Sequence, residues 1–270
     1  MPELPEVETI ARGLAKRVAG DVIESVWLGS KPEPLKSPAQ QIAATLQSKR
    51  IVDVRRAGKH IVFDLEPADS NGNPGQWIVH LGMTGSMLVS SPHTELAKHT
   101  HAVVRLASGR ELRFIDPRRF GRLSVMDKFA APGAEPLQIR SDDFRALFRG
   151  RKTPIKSALL NQTLLSGVGN IYADEALFRA GVRPRRRAAS LTHDELRRLH
   201  KSLRRVLEEA IRLGGSSISD YVGADGEEGF FQLKHRVYGR AGKPCLVCRT
   251  PIKRVVLAGR SSHYCPKCQK

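Results

Sequence analysis

The stretch Ile51-Val52-Asp53-Val54-Arg55-Arg56-Ala57-Gly58-Lys59-His60-Ile61-Val62-Phe63-Asp64-Leu65 sets the fold class. Ile51–Arg56 and His60–Leu65 are short runs of strand-forming residues, and Gly58-Lys59-His60 turns the chain between them. More short strands follow at similar spacing, clearest at Trp77–Leu81, Ala102–Leu106 and Glu111–Phe114. Asn71-Gly72-Asn73-Pro74-Gly75 and Ser108-Gly109 mark turns between them. Such a series predicts an antiparallel sandwich from about Val22 to Met126. A helix over 5–19 precedes it, with Pro5 in its first turn and Val7, Ile10, Ala11, Leu14 and Val18 on one apolar face.

Beyond the sandwich the pattern changes. Residues 131–140 hold two prolines and a glycine and are expected to be a linker. After them the chain reads as helical. In the stretch Thr192–Leu213, Thr192 and Glu195 are spaced as a capping box and Leu191 and Leu196 as a hydrophobic staple. Leu196, Leu199, Leu203, Val206, Leu207 and Ala210 form a buried stripe, and Gly214 stops the helix. A further helix is expected over Ile171–Ala180, and residues 216–235, polar and weakly patterned, read as a mobile loop.

With 45 Lys and Arg against 27 Asp and Glu, the formal net charge is +18, which points to a polyanionic partner. A basic, merely soluble protein would share that charge, and no basic amphipathic segment suggests a membrane surface. Apolar stretches such as Ile78–Leu88 are broken by His80, Gly82 and Gly85 and are too short to span a bilayer. The N-terminus is acidic and does not resemble a secretory signal, so a cytosolic chain is expected.

Cys245-x-x-Cys248 and Cys265-x-x-Cys268 each present two thiolates from a short loop. Two such pairs at this separation predict a closed tetrahedral zinc site, structural rather than catalytic because no coordination position is left for water. Two redox pairs or free thiols are the alternative, but nothing nearby resembles a thioredoxin unit. Lys253, Arg254 and Arg260 make the intervening hairpin basic. Gly167-Val168-Gly169-Asn170 stands at a helix entrance, where backbone amides can face an anion; a plain turn would look the same. Lys152, Lys156 and the run Arg183-Pro184-Arg185-Arg186-Arg187 favour phosphate. At the N-terminus, removal of Met1 would expose the secondary amine of Pro2. An α-amino group titrates near ~8, so a useful fraction is neutral and nucleophilic. Glu3 is adjacent and Glu6 lies one helical turn away, either as proton carriers or as acids that suit the helix dipole.

Five motifs in fixed order carry a resemblance. Pro2-Glu3-Leu4-Pro5-Glu6-Val7-Glu8, His80-Leu81-Gly82-Met83-Thr84-Gly85, Asp116-Pro117-Arg118-Arg119-Phe120-Gly121, Gly167-Val168-Gly169-Asn170-Ile171-Tyr172-Ala173-Asp174-Glu175 and the paired cysteines together resemble the formamidopyrimidine-DNA glycosylase family. The resemblance implies an α+β chain. Residues 1–130 would form a catalytic, helix-flanked antiparallel β-sandwich and 131–140 a linker. Residues 141–235 would form a helix–two-turns–helix DNA-binding module with a lesion loop at 216–235, and 236–270 a zinc hairpin, with DNA bound in the cleft between the halves. It further implies a monomeric enzyme of the bacterial cytosol that acts on damaged double-stranded DNA, with one structural zinc ion, no organic cofactor and no membrane partner.

The resemblance also implies roles. Pro2 is the Schiff-base nucleophile, Glu3 the general acid/base and Glu6 a second active-site carboxylate. Lys59 lies near the lesion's phosphate, although a lysine at a hairpin tip also discourages edge pairing. Asn170 and Arg260 grip phosphate, with Arg260 also catalytic, and His99 and Lys156 contact DNA. Met83, Arg118 and Phe120 fill the gap left by the extruded base; Met83 and Phe120 as ordinary core residues, with Arg118 on a phosphate, are the plain alternative. The implied activity is excision of oxidised purines followed by β,δ-elimination. An endonuclease VIII-like glycosylase for oxidised pyrimidines and a non-catalytic zinc-hairpin DNA-binding protein are the alternatives.

Overall fold

A computed structural model describes residues 1–69, 73–217 and 228–270. The chain separates into two compact units, Met1–Ala130 with Gly214–Gly229, and Ala131–Leu213 with Phe230–Lys270.

The first unit begins with α1 (Leu4–Val18), followed by β1 (Ile23–Leu28), α2 (Ala39–Leu46), β2 (Lys49–Ala57), β3 (His60–Pro67), β4 (Gly75–His80), β5 (Ser86–Ser90), β6 (Thr100–Leu106), β7 (Glu111–Ile115) and β8 (Arg122–Met126). Its strands form two four-stranded sheets, β2-β3-β4-β8 and β1-β6-β7-β5. Every pair is antiparallel. One core joins both sheets and both helices: Val7, Ile10 and Leu14 from α1, Ile42 and Leu46 from α2, Phe63 and Trp77 from one sheet, Val104 and Phe114 from the other. Phe63 stacks on Trp77 with ring centroids 4.8 Å apart. Full burial of one such side chain stabilises the fold by about 1.5–3 kcal/mol. In the β2–β3 hairpin Ala57 pairs with His60, so the connection is Gly58-Lys59 alone, and Gly58 takes φ 61°. Helix α2 lies in a region whose sequence predicts only strands. Its eight residues carry just two buried anchors, Ile42 and Leu46, too few to display a helical period.

The second unit contains α3 (Ser141–Phe148), α4 (Ile155–Leu159), α5 (Asn170–Ala180), α6 (His193–Arg212) and the hairpin of β9 (Lys253–Leu257) and β10 (Arg260–Tyr264). Both bonds of the Thr192/Glu195 capping box are present: Glu195 N–H donates to Thr192 Oγ1 over 3.2 Å, and Thr192 N–H to Glu195 Oε2 over 2.8 Å. Leu196, Leu199, Leu203, Val206, Leu207 and Ala210 are buried, and His200 joins them by bonding the Ile139 carbonyl. The segment 131–140 is packed into this unit. A Cβ on Gly133 would sit 2.5 Å from the Gln162 carbonyl oxygen, and Ala134 bridges Leu165. Its glycine therefore serves close approach, not the flexibility of a linker.

Residues 218–227 of the expected loop lie outside the described residues. Residues 230–235 differ from a mobile loop: Phe231–Lys234 is a 3-10 turn anchored by Phe231, which is fully buried against Tyr172 at 5.4 Å. Among the described residues, no helix is long and apolar enough to cross a membrane.

Candidate active site and nucleic-acid interface

The N-terminal carboxylates are built into the start of α1. Glu3 is its N-cap and Glu6 its third residue, and the two form a reciprocal capping box. Pro2 is buried, and Glu3 and Glu6 are 4% and 2% exposed. Glu6 Oε2 accepts from the Glu3 N–H over 2.8 Å, while Glu6 Oε1 accepts from the Ser216 N–H over 2.8 Å. One carboxylate thus fixes the backbone beside Pro2 and also holds the segment at Gly215–Ser216. Gly215 has φ 84°, and a Cβ there would lie 2.9 Å from Glu6 Oε1, so a side chain would break the approach. The sequence offers no sign of this link, because its two ends are 210 residues apart.

Arg56 supplies a second link that sequence reasoning misses. Its Nε donates to Glu8 Oε2 on α1 over 2.7 Å, and its Nη1 donates to the Gly58 carbonyl over 3.2 Å. The turn that carries Lys59 is therefore tied to the helix that carries Glu3 and Glu6. Burial alone would raise the Glu8 carboxyl's pKa. The Arg56 and Arg12 guanidinium groups outweigh it and hold that carboxyl below its ordinary value, so it stays charged.

Met83, Arg118 and Phe120 project from two loops of the same unit. Met83 is 41% and Phe120 53% exposed, so neither is a core residue. The sequence predicts Arg118 and Phe120 on one side of an extended segment. The structure has a turn instead, with Arg119 at φ 57°, and the Arg118 guanidinium lies 4.8 Å from the Phe120 ring centroid. The intervening Arg119 pairs with Glu33 over 2.6 Å. The two loops touch backbone to backbone: a Cβ on Gly82 would sit 2.5 Å from the Gly121 nitrogen. Below the Met83 turn, burial and the nearby His60, Arg122 and Lys59 push His80 down to about 4. The neutral ring's Nδ1 accepts from the Gly82 N–H over 3.0 Å. His99 is exposed, with φ 68°.

In the second unit, Asn170 is the first residue of α5, behind the extended N-cap Gly169. Arg260 is exposed at the start of β10. Lys156 departs from the expectation of a phosphate contact. It is 1% exposed, its Nζ lies 2.7 Å from Asp174 Oδ1, and it donates to the Ser261 carbonyl over 2.6 Å. Asp174 Oδ2 also accepts from the His263 N–H over 2.8 Å. Lys156 thus joins α4 and α5 to the strand that carries Arg260, and its charge is spent inside the protein. The basic run around it in sequence gives no sign of that burial.

The Sγ atoms of Cys245, Cys248, Cys265 and Cys268 all lie within 4.8 Å of one another. Cys245 and Cys265 pack with Phe178, Val237 and Ile252 in a small core. Four thiols converging at this distance suit one tetrahedral ion of the zinc class.

Comparison with known proteins covers the whole chain. Residues 1–123 match the formamidopyrimidine-DNA glycosylase N-terminal domain, residues 131–222 the formamidopyrimidine-DNA glycosylase H2TH domain, and residues 242–270 a zinc finger found in FPG and IleRS. The formamidopyrimidine-DNA glycosylase of Solibacter usitatus is 46% identical, with all of both chains covered, and that of Variovorax paradoxus is 41% identical at the same coverage. Among solved structures, the MutM (FPG) protein of Thermus thermophilus is 43% identical with a TM-score of 0.87, covering 99% of this chain and 98% of that one. A Lactococcus lactis FPG mutant in complex with DNA containing Fapy-dG is 33% identical with a TM-score of 0.90, both chains covered in full.

Proposed function

Because the chain belongs to the formamidopyrimidine-DNA glycosylase family, we propose that it excises oxidised purines from duplex DNA through a covalent adduct on Pro2 and then cuts the strand. The reading rests on one observation: Pro2 adjoins two buried carboxylates locked in a reciprocal capping box. Removal of Met1 frees the secondary amine. The amine attacks C1′ of the damaged nucleotide as the glycosidic bond breaks and the base departs with the bonding electrons. Glu3 carries protons between the sugar and the departing groups. Proton transfer from Glu3 to O4′ opens the sugar ring as the C1′–O4′ bond breaks, and the resulting iminium is a fixed cation that acidifies the C2′ proton. Its loss expels the 3′ phosphate, and a second elimination expels the 5′ phosphate. Lys59, held to α1 through Arg56, faces the lesion's phosphate, and Asn170 and Arg260 grip phosphate from the second unit.

The enzyme works as a monomer in the bacterial cytosol, with no organic cofactor, and the finger holds one zinc ion. Incubating the protein with an 8-oxoguanine·cytosine duplex and borohydride tests the reading. The expected product is a crosslink at Pro2; a crosslink at Lys59 or another lysine sinks it. Affinity should fall with added salt along a log–log slope of about 0.9 per phosphate neutralised. A flat dependence would mean that the basic surface is not the DNA site.

Extruding a base costs a few kcal/mol and leaves an orphaned partner. Met83 and Phe120 fill the hole, and Arg118 reads the orphan. A guanidinium only donates, and it matches the adjacent N3 and O2 acceptors of cytosine better than the acceptor–donor edge of adenine. Arg118→Ala should therefore lower excision opposite cytosine and narrow the cytosine-to-adenine preference, by the roughly 1–3 kcal/mol that one bidentate contact carries. An unchanged ratio in paired single-turnover assays would remove Arg118 from that role.

A further inference from the structure

Asp116 is fully buried between the two loops that carry Met83 and Arg118–Phe120. Its Oδ1 accepts from the Thr84 hydroxyl over 2.7 Å, next to Met83, and from the Arg118 N–H over 3.3 Å. Its Oδ2 accepts from the Gly121 N–H over 2.7 Å, next to Phe120. Its backbone is equally committed. The Asp116 N–H donates to the His99 carbonyl over 3.0 Å, and its carbonyl accepts from the Arg119 N–H over 3.2 Å and faces His101 Nε2 at 3.0 Å. Every polar atom of this one residue thus bonds Arg118 or His99 itself, or a residue adjacent to Met83, Arg118 or Phe120.

The surroundings leave the carboxylate little freedom. A Cβ on Gly121 would meet Asp116 Oδ2 at 3.1 Å and the Phe114 ring at 2.5 Å, and a Cβ on Gly82 would meet the Gly121 nitrogen at 2.5 Å. Both glycines let the loops close onto the acid. The side chains at the tips are exposed, Met83 by 41% and Phe120 by 53%, with the Arg118 guanidinium 4.8 Å from the Phe120 ring centroid.

We infer that Asp116 is the positioning residue for the group that replaces the extruded base, setting the separation of Met83 from Arg118 and Phe120. The inference rests on the void-filling role proposed above. A wedge held at fixed spacing enters the stack without first being ordered, so the ordering cost is met in folding rather than at the DNA. Loss of one carboxylate bond frees one loop while the sandwich core, which contains neither loop tip, stays intact.

Thr84→Val removes only the hydroxyl bond, at a half-buried position with little risk to folding. Asp116→Asn replaces one accepting oxygen with a donor. Both are made in the full-length, zinc-bound chain. The expected result is a fall of about tenfold in kcat for 8-oxoguanine excision in Thr84→Val, the usual scale for one lost hydrogen bond, with a larger fall in Asp116→Asn. The cytosine-to-adenine ratio should narrow in both. Borohydride trapping on a preformed abasic site should fall far less, because no base has to leave the stack. Thr84→Ser should restore excision. A 2-aminopurine beside the lesion, which brightens on unstacking, should report slower opening in both variants.

Parental excision and an unchanged ratio in Thr84→Val and Asp116→Asn would overturn the proposal. So would an equal loss of trapping and excision, which marks general damage. Phe120→Ala and Met83→Ala serve as references. If they leave the 2-aminopurine signal unchanged, the void-filling role itself fails; if they alter it and the Asp116 and Thr84 variants do not, only the positioning role fails.

Discussion

Glu3→Gln is expected to bind a lesion duplex with parental affinity and to release the damaged base roughly 10²- to 10⁴-fold more slowly, the usual contribution of a positioned acid/base. The structure makes this a clean test. As the N-cap of α1, the Glu3 side chain accepts from the backbone of Glu6. Glutamine retains an accepting oxygen, so the cap survives and the melting midpoint should barely move. Only proton exchange is lost. Glu6→Gln offers the contrast. Both Glu6 oxygens accept from backbone N–H groups, at Glu3 and at Ser216. An amide there turns a donor toward one of them and costs about 1–3 kcal/mol for a buried unpaired group. Glu6→Gln should therefore lose stability and activity together, and Glu3→Gln activity alone. Single-turnover excision kinetics beside thermal melts separate the two. Full excision by Glu3→Gln would refute the role.

The elements legible in the sequence are those with a local signal. The β2–β3 hairpin shows in its strand-forming residues and its glycine, α6 in its stripe and capping box, and the zinc site in two short cysteine loops. Family resemblance, not spacing, brings Met83, Arg118 and Phe120 together. Strand alternation is the wrong reason for the proximity of Arg118 and Phe120, since a left-handed Arg119 turns the chain between them. What stays hidden is long-range. The Glu6–Ser216 bond, the Arg56 bridge to Glu8 and the burial of Lys156 against Asp174 each depend on partners set by tertiary packing. A charged residue's composition class says nothing of its partner. Hence Lys156, read as a surface cation, proves to be an interior one.

The other large effect concerns the zinc finger. Cys265→Ser is expected to abolish zinc binding, unfold the hairpin and weaken DNA binding, while the sandwich melts at its parental temperature. A structural zinc site supplies an apparent 10–16 kcal/mol, roughly, and the small core of Phe178, Val237, Ile252 and two of the cysteines cannot replace it. The damage should extend beyond the hairpin. Asp174 and Lys156 are buried together, and their further partners, the His263 N–H and the Ser261 carbonyl, belong to β10. Unfolding β10 strips those bonds from a buried ion pair that links α4 to α5, an arrangement that is costly when incompletely satisfied. Asn170 stands one turn away on α5 and loses its fixed position as well. Cys265→Ser should thus weaken DNA binding more than Arg260→Ala, which removes one exposed guanidinium and leaves the metal in place. The sandwich is spared because its core draws only on residues Val7 to Val125. Elemental analysis, titration of a lesion duplex and a melt resolving two transitions check each part. Zinc-free protein on native purification, or equal binding losses in the two variants, would contradict the account.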